Sequence, residues 1–232
     1  MEQLLEKVKT YDWGQSRTAL TELSELVKKS HGNATEMSKY EKGMLGVLKS
    51  DAKRAGKQFI CRQLSIIGTE RSVPALALML TGEETSDMAR YALERIPGEA
   101  VDDALRKAVP KTKGKIKVGI INSLGQRGDK KSAKALSGLV GSSDKMIAGA
   151  AAAALGQIGG SDASKSLAKA KDTAAGKLRN IVLDAYLKCA DQMVAGGNKI
   201  GALGIYKELQ KKDMPTPIRT AALRGIVNAT KR

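Results

Sequence analysis

Apolar residues recur at helical spacing along most of the chain. Ala89, Ala92, Leu93 and Ile96 fall at i, i+3, i+4 and i+7, which is one face of a helix. Val101, Ala104, Leu105 and Ala108 repeat the pattern on a partner segment. Ile147, Ala150, Ala151, Ala154, Leu155 and Ile158 repeat it again further on. Glycines close these stretches at a regular interval: Gly68, Gly98, Gly128 and Gly159 are spaced by 30, 30 and 31 residues. Such glycines suit the left-handed residue that ends a helix. Thr69, Asp129 and Ser161 follow three of them, where a side-chain oxygen can accept orphan backbone N–H groups. Pro74 fits a first helical turn, where its missing N–H costs little.

This pattern predicts an all-α chain. Residues 1–50 read as about three helices, broken near Asp12 and at His31-Gly32-Asn33. Residues 52–172 read as four helix pairs, and 174–232 as a longer closing pair plus a capping helix over 215–229. A unit of about 30 residues cannot bury its own apolar face, but stacked units can. The expected architecture is therefore an α-α superhelix, a right-handed α-solenoid of antiparallel helix pairs over 1–232, with 1–50 as its N-terminal cap. The run GAAAAALGQIGG (149–160) reads as an inner helix of that stack, its small residues permitting close helix approach.

The stretches IGTERSVPALALML (67–80), LGQRGDKKSAKALSGLV (124–140) and LGQIGGSDASKSLAKA (155–170) resemble HEAT repeats. In that family two antiparallel helices form each unit, and Leu-Gly-x-x-Gly is the turn within it. Ile96-Pro97-Gly98 departs from the motif, so that unit is expected to turn differently. YDWGQSRTALTELSELV (11–27), GKQFICRQLSIIGT (56–69), MARYALERIPGEAVDDALR (88–106) and VGIINSLGQRGD (118–129) resemble more narrowly the HEAT module of large exported multidomain bacterial proteins. That resemblance implies a non-catalytic module, an exported parent polypeptide and a periplasmic or surface location. DAYLKCADQMVAGGNKIGALGIYKEL (184–209) resembles a tetratricopeptide unit, with Tyr186, Ala190, Ala202, Tyr206 and Pro215 near that pattern's spacing; a longer HEAT pair is the other reading.

Composition narrows the chemistry. Aromatic residues make up 3% of the 232 residues, so Ala, Leu, Ile and Val must build the core. One histidine and two cysteines are too few for a Cys/His zinc site of about four ligands. His31 reads as a helix-end residue. Cys61 and Cys189 read as buried, unpaired small apolar residues, since they lie several helix layers apart. Asp102-Asp103 and Glu83-Glu84 are sequence neighbours that diverge around a helix and form no carboxylate dyad. Trp13 reads as a staple between the first helices. No catalytic residue, metal or cofactor is expected, and no apolar run reaches the roughly 20 residues of a membrane span.

Charge is uneven. Residues 1–110 carry 17 basic and 16 acidic side chains; residues 111–232 carry 23 and 8. Repeat spacing turns several of the later cations into columns. Lys134 and Lys165 are 31 residues apart on second helices, flanked by Lys130, Lys131, Lys169 and Lys171. Lys115 and Lys145 are 30 apart at unit starts, and Lys177 with Arg179 follows one unit later. These positions form a candidate face for an anion or an acidic partner; the plainer alternative is a solvated surface that keeps an Ala-rich stack soluble. Only Tyr186 and Tyr206 are aromatic in this half, so nucleic acid would find phosphate contacts and no base-stacking platform.

The function expected is a protein–protein interaction scaffold, with second helices lining its docking surface. Its partner would be a separate protein or adjacent domains of one polypeptide. Binding of nucleic acid or another polyanion through the basic half is the alternative. A HEAT-like DNA glycosylase or metal-dependent hydroxylase is a third reading. The first lacks an aromatic-lined cleft here, and the second lacks any His-Glu pair.

Overall fold

A computed structural model describes residues 1–230, and every regular element in it is helical. The chain divides into two units, Met1–Thr112 and Lys113–Arg232.

The first unit opens with α1 (Glu2–Thr10), α2 (Thr18–Lys29) and α3 (Ala34–Lys49). Two helix pairs follow: α4 (Arg54–Ile67) with α5 (Val73–Met79), and α6 (Ser86–Leu93) with α7 (Glu99–Ala108). Short 3-10 turns lie at Glu70–Ser72 and Val109–Lys111. Asn33 caps α3 by accepting from the Glu36 N–H, so the break at 31–33 is capping chemistry. Pro74 stands in the first turn of α5. α6 ends at Leu93, because Pro97 disfavours helical geometry at Ile96; Ile96 still points into the core.

The turn before α5 is held from a different helix. Glu41 on α3 is buried and accepts from the Thr69 N–H (2.7 Å), Thr69 Oγ1 (2.9 Å) and Ser72 Oγ (2.6 Å). Its carboxylate thereby satisfies donors at a helix start that would otherwise be orphaned. Thr69 also accepts from the Arg71 N–H, in the capping role its position predicts.

The glycine expectation needs one correction. Gly98, Gly128 and Gly159 have φ of +107°, +66° and +68°, whereas Gly68 has φ −64° and an extended ψ. Gly68 is needed for room instead: a Cβ there would lie 2.3 Å from the Leu64 carbonyl oxygen and 2.9 Å from Ile96 Cδ1. Ser161 also differs from its expected capping role. It lies inside a helix whose N-cap is Gly159.

The second unit contains α8 (Gly114–Gln126), a 3-10 turn at Lys130–Ser132 leading into α9 (Ala133–Leu139), α10 (Lys145–Ile158) and α11 (Gly160–Thr173). α12 (Gly176–Ala195), α13 (Lys199–Leu209) and α14 (Thr216–Thr230) complete it. α10 is the centre of this unit and packs against α8, α9, α11 and α12. Ala148, Ala151, Ala152 and Ala154 are all buried, which explains the alanine run: a helix enclosed on several sides has no room for long side chains.

The row of first helices is drawn close by glycines. A Cβ on Gly125 would lie 2.7 Å from Ala154 Cα, and one on Gly156 would lie 2.6 Å from the Ala185 carbonyl oxygen. α8, α10 and α12 therefore pack tightly side by side, while the second helices α9 and α11 touch sparingly. Tyr186, Ala190, Ala202 and Tyr206 are buried among α12, α13 and α14. Each tyrosine hydroxyl donates to a carboxylate, Tyr186 to Glu208 (2.9 Å) and Tyr206 to Asp191 (2.7 Å).

Candidate functional site

A groove of about 880 Å³ opens on the first-helix row of the second unit. Gly149, Ala150 and Ala153 of α10 form its floor. Val118 and Asn122 of α8 form one wall; Leu178 and Ile181 of α12 form the other. Met146, 57% exposed, and Ile181, 39% exposed, offer apolar surface at its mouth. The local sequence builds this shape. α10 needs small residues to sit between its neighbours, and where one such residue faces solvent it leaves a trough. Val118 and Asn122 on α8, and Leu178 and Ile181 on α12, are longer and rise beside it as ridges.

Lys145 and Lys177 line the same groove, and no acidic side chain does. Both stand in the first turn of their helices, as Lys115 does on α8. The three occupy equivalent places in Gly114-Lys115-Ile116, Asp144-Lys145-Met146 and Gly176-Lys177-Leu178. No acidic residue occurs in the first turns of α8, α10 or α12. A cation at the positive end of a helix dipole costs roughly 0.3–1 kcal/mol, so this edge gains nothing locally from its charge. Asp144, the nearest acid in sequence, caps α10 by accepting from the Met146 and Ile147 N–H groups.

The other cations singled out from sequence do not join this site. Lys130, Lys131, Lys134 and Lys165 are exposed on the second-helix row. Lys169 lines a smaller groove of about 350 Å³ between α9 and α11, with Ser137, Ser142 and Ser166. Arg179 is half-buried on α12, next to the wall residue Leu178 but not part of the groove lining. Grooves occur on both rows: the apolar groove with the lysine edge lies on the first helices of the second unit, and in the first unit the second helices α5 and α7 line one of about 540 Å³ beside Leu78, which is 81% exposed. Lys171 is corrected too. It is 8% exposed, with Nζ 3.2 Å from Glu208 Oε1 and a second bond to Asp172, and so is no part of a solvated column. Burial alone would lower its pKa; the bonds and charges of Asp172 and Glu208 outweigh that and raise it.

Trp13 staples nothing. It is 56% exposed, and the Arg54 guanidinium stands 5.5 Å from its ring centroid. Tyr91, 42% exposed, carries Arg95 at 3.8 Å in the same way. The Tyr91–Arg95 pair is local, four residues apart, whereas the Trp13–Arg54 pair joins distant segments and depends on which elements meet. Cys61 and Cys189 are buried and free, and burial pushes their thiols up to about 12 and about 11. Among the described residues no group of three or more His, Cys, Asp or Glu could hold a metal ion. No helix there is long and apolar enough to cross a membrane.

A family model for HEAT repeats matches residues 103–186. None of the curated proteins matches the chain. Among solved structures, the chain is similar to the complex of CpcE and CpcF of phycocyanin lyase from Nostoc sp., with 17% identity, covering 99% of this chain and 94% of that chain at a TM-score of 0.49. A designed armadillo repeat protein in complex with the peptide (KR)4 matches at 14% identity, covering 99% of both chains with a TM-score of 0.36. An engineered protein matches at 19% identity, covering 99% of this chain and 98% of that chain with a TM-score of 0.33.

Proposed function

We propose that this chain is a non-catalytic protein-interaction scaffold that docks its partner in the groove of the second unit. The carrying observation is apolar surface left open where a stack of helices could have closed it. Met146 and Ile181 stand exposed beside a floor of Gly149, Ala150 and Ala153. Exposed apolar patches rimmed by polar groups mark interaction sites. The lining contains no cluster of ionisable groups converging on one point, only two lysines at one end.

The match of the HEAT repeats model to 103–186 supports a repeat scaffold over that stretch. The partner is a separate protein or a neighbouring domain of a larger polypeptide, in keeping with the resemblance to modules of exported multidomain bacterial proteins. Site-specific photo-crosslinking in the source cells tests this reading. A photoreactive residue at position 146 is expected to give a discrete protein adduct, and one at position 165, on the second-helix row, none. Absence of an adduct from position 146, or equal adducts from both positions, would overturn it.

A further inference from the structure

We propose that the groove takes an acidic amphipathic helix, which lies along α10 with its apolar face on the floor and its Asp or Glu side chains over Lys145 and Lys177. This rests on the scaffold reading above and names what occupies the same site.

The shape argues for a helix. The floor follows α10 from Met146 to Ala153, and the walls are the flanking helices α8 and α12. At 1.5 Å per residue that length admits about two turns of a guest helix. Side chains of a guest placed at i, i+3, i+4 and i+7 would meet Val118, Met146, Leu178 and Ile181, which present aliphatic and thioether surface.

Charge argues for acidity. Lys145 and Lys177 are the charged residues of the lining, and Lys115 continues the same edge on α8. Asp144 is occupied with its own helix start. The half of the chain that holds the groove carries 23 basic and 8 acidic side chains, so its long-range field also draws an acidic guest inward. A nucleic acid would satisfy the lysines but would leave the aliphatic lining unmatched, and no aromatic ring lines the groove to stack a base. An uncharged amphipathic helix would fill the trough and leave the lysine edge unused.

The test uses the full chain and a labelled synthetic peptide of about 14 residues, with Leu at i, i+3, i+4 and i+7 and Asp or Glu elsewhere. Two control peptides either replace each Leu by Ser or replace each acid by Lys. Fluorescence anisotropy is read at low and at physiological salt. The acidic amphipathic peptide is expected to bind with a salt-dependent affinity, and both controls at least about tenfold more weakly. Ala153→Trp adds a side chain into the trough without changing charge, and is expected to weaken binding by about tenfold or more. The K145E/K177E double variant is expected to do the same, and K165E/K169E on the second-helix row to change affinity less than about twofold. Circular dichroism establishes that each variant is folded.

Equal binding of the Leu-to-Ser peptide would overturn the proposal. So would equal losses in the two lysine pairs, or binding of mixed-sequence duplex DNA that outcompetes the peptide and ignores Ala153→Trp. If no acidic peptide binds while position 146 still crosslinks to a protein, the acidic occupant is wrong and the scaffold reading stands. If both fail, both are wrong.

Discussion

Lys171 and Glu208 form a linkage inside the second unit, with Nζ 3.2 Å from Oε1. The other Glu208 oxygen accepts from Tyr186 Oη, so one carboxylate ties together α11, α12 and α13. Removing one partner of a shielded pair leaves the other without compensation. Glu208→Ala strands the Tyr186 hydroxyl and leaves the Lys171 ammonium with Asp172 alone, and is expected to cost about 1–3 kcal/mol. Lys171→Met leaves Glu208 with its tyrosine and partial solvent access, and is expected to cost less. Urea midpoints of the two variants check the order; an equal or reversed order would show that Glu208 is not the hub.

The buried acids of this chain titrate late. Burial first, then the bond to Glu208, raises the Tyr186 pKa; burial and Asp191 do the same for Tyr206. Lys171 is raised as well, and the thiols of Cys61 and Cys189 reach about 12 and about 11. Unfolded, these groups lose protons near about 8.5 for thiols and about 10 for tyrosine and lysine. Above those values the unfolded chain has released protons that the folded chain still holds, so stability falls as pH rises. The contribution is complete below about pH 8.5, begins to decline with the thiols, and declines faster above about pH 10. Replacing both cysteines by alanine should flatten the segment between about pH 8.5 and 10 and leave the later decline in place. Thermal melts across pH 7 to 11 measure it, and a flat profile would refute it.

Two glycine substitutions should act in opposite directions. Gly156→Ala places a Cβ 2.6 Å from the Ala185 carbonyl oxygen, so α10 and α12 must separate. The expected loss is about 1–3 kcal/mol despite the gain in helix propensity. At Gly204 on α13 an added Cβ would meet nothing within 4 Å, and Gly204→Ala is expected to stabilise by about 0.4–1 kcal/mol. Melting temperatures of the pair should move apart.

Trp13 is the single tryptophan of the chain, which makes its exposure directly visible. Its emission is expected to lie toward the red and to be quenched fully by acrylamide. Trp13→Ala should change stability by no more than about 0.5 kcal/mol. A blue-shifted, protected emission would restore the staple role.

Much of this fold is legible along the chain because its punctuation is local. Asn33, Pro74, Pro97 and the glycines 98, 128 and 159 act on their own neighbours, through a cap, a ring or a positive φ. Their positions therefore mark the helix ends without knowledge of anything distant. Of the readings that failed, Ser161 failed locally and Lys171 through a partner from elsewhere. Ser161 has the right chemistry for a cap, but the helix begins one residue earlier, at Gly160. Lys171 has the sequence context of a surface lysine, and only the approach of α13 encloses it.

The sequence by itself determined the helical class, the helix pairs, and the alignment of Lys115, Lys145 and Lys177, because a repeat of about 30 residues imposes register whatever surrounds it. Tertiary structure alone decided where grooves open between neighbouring helices. A helix that is apolar on nearly every side, as α10 is, carries no mark of where its neighbours stop. The trough exists because α8 and α12 flank α10 without closing over Ala153, while Gly149 lies buried under the edge of Ile181. Exposure is a property of the gap between neighbours, and no single helix encodes it.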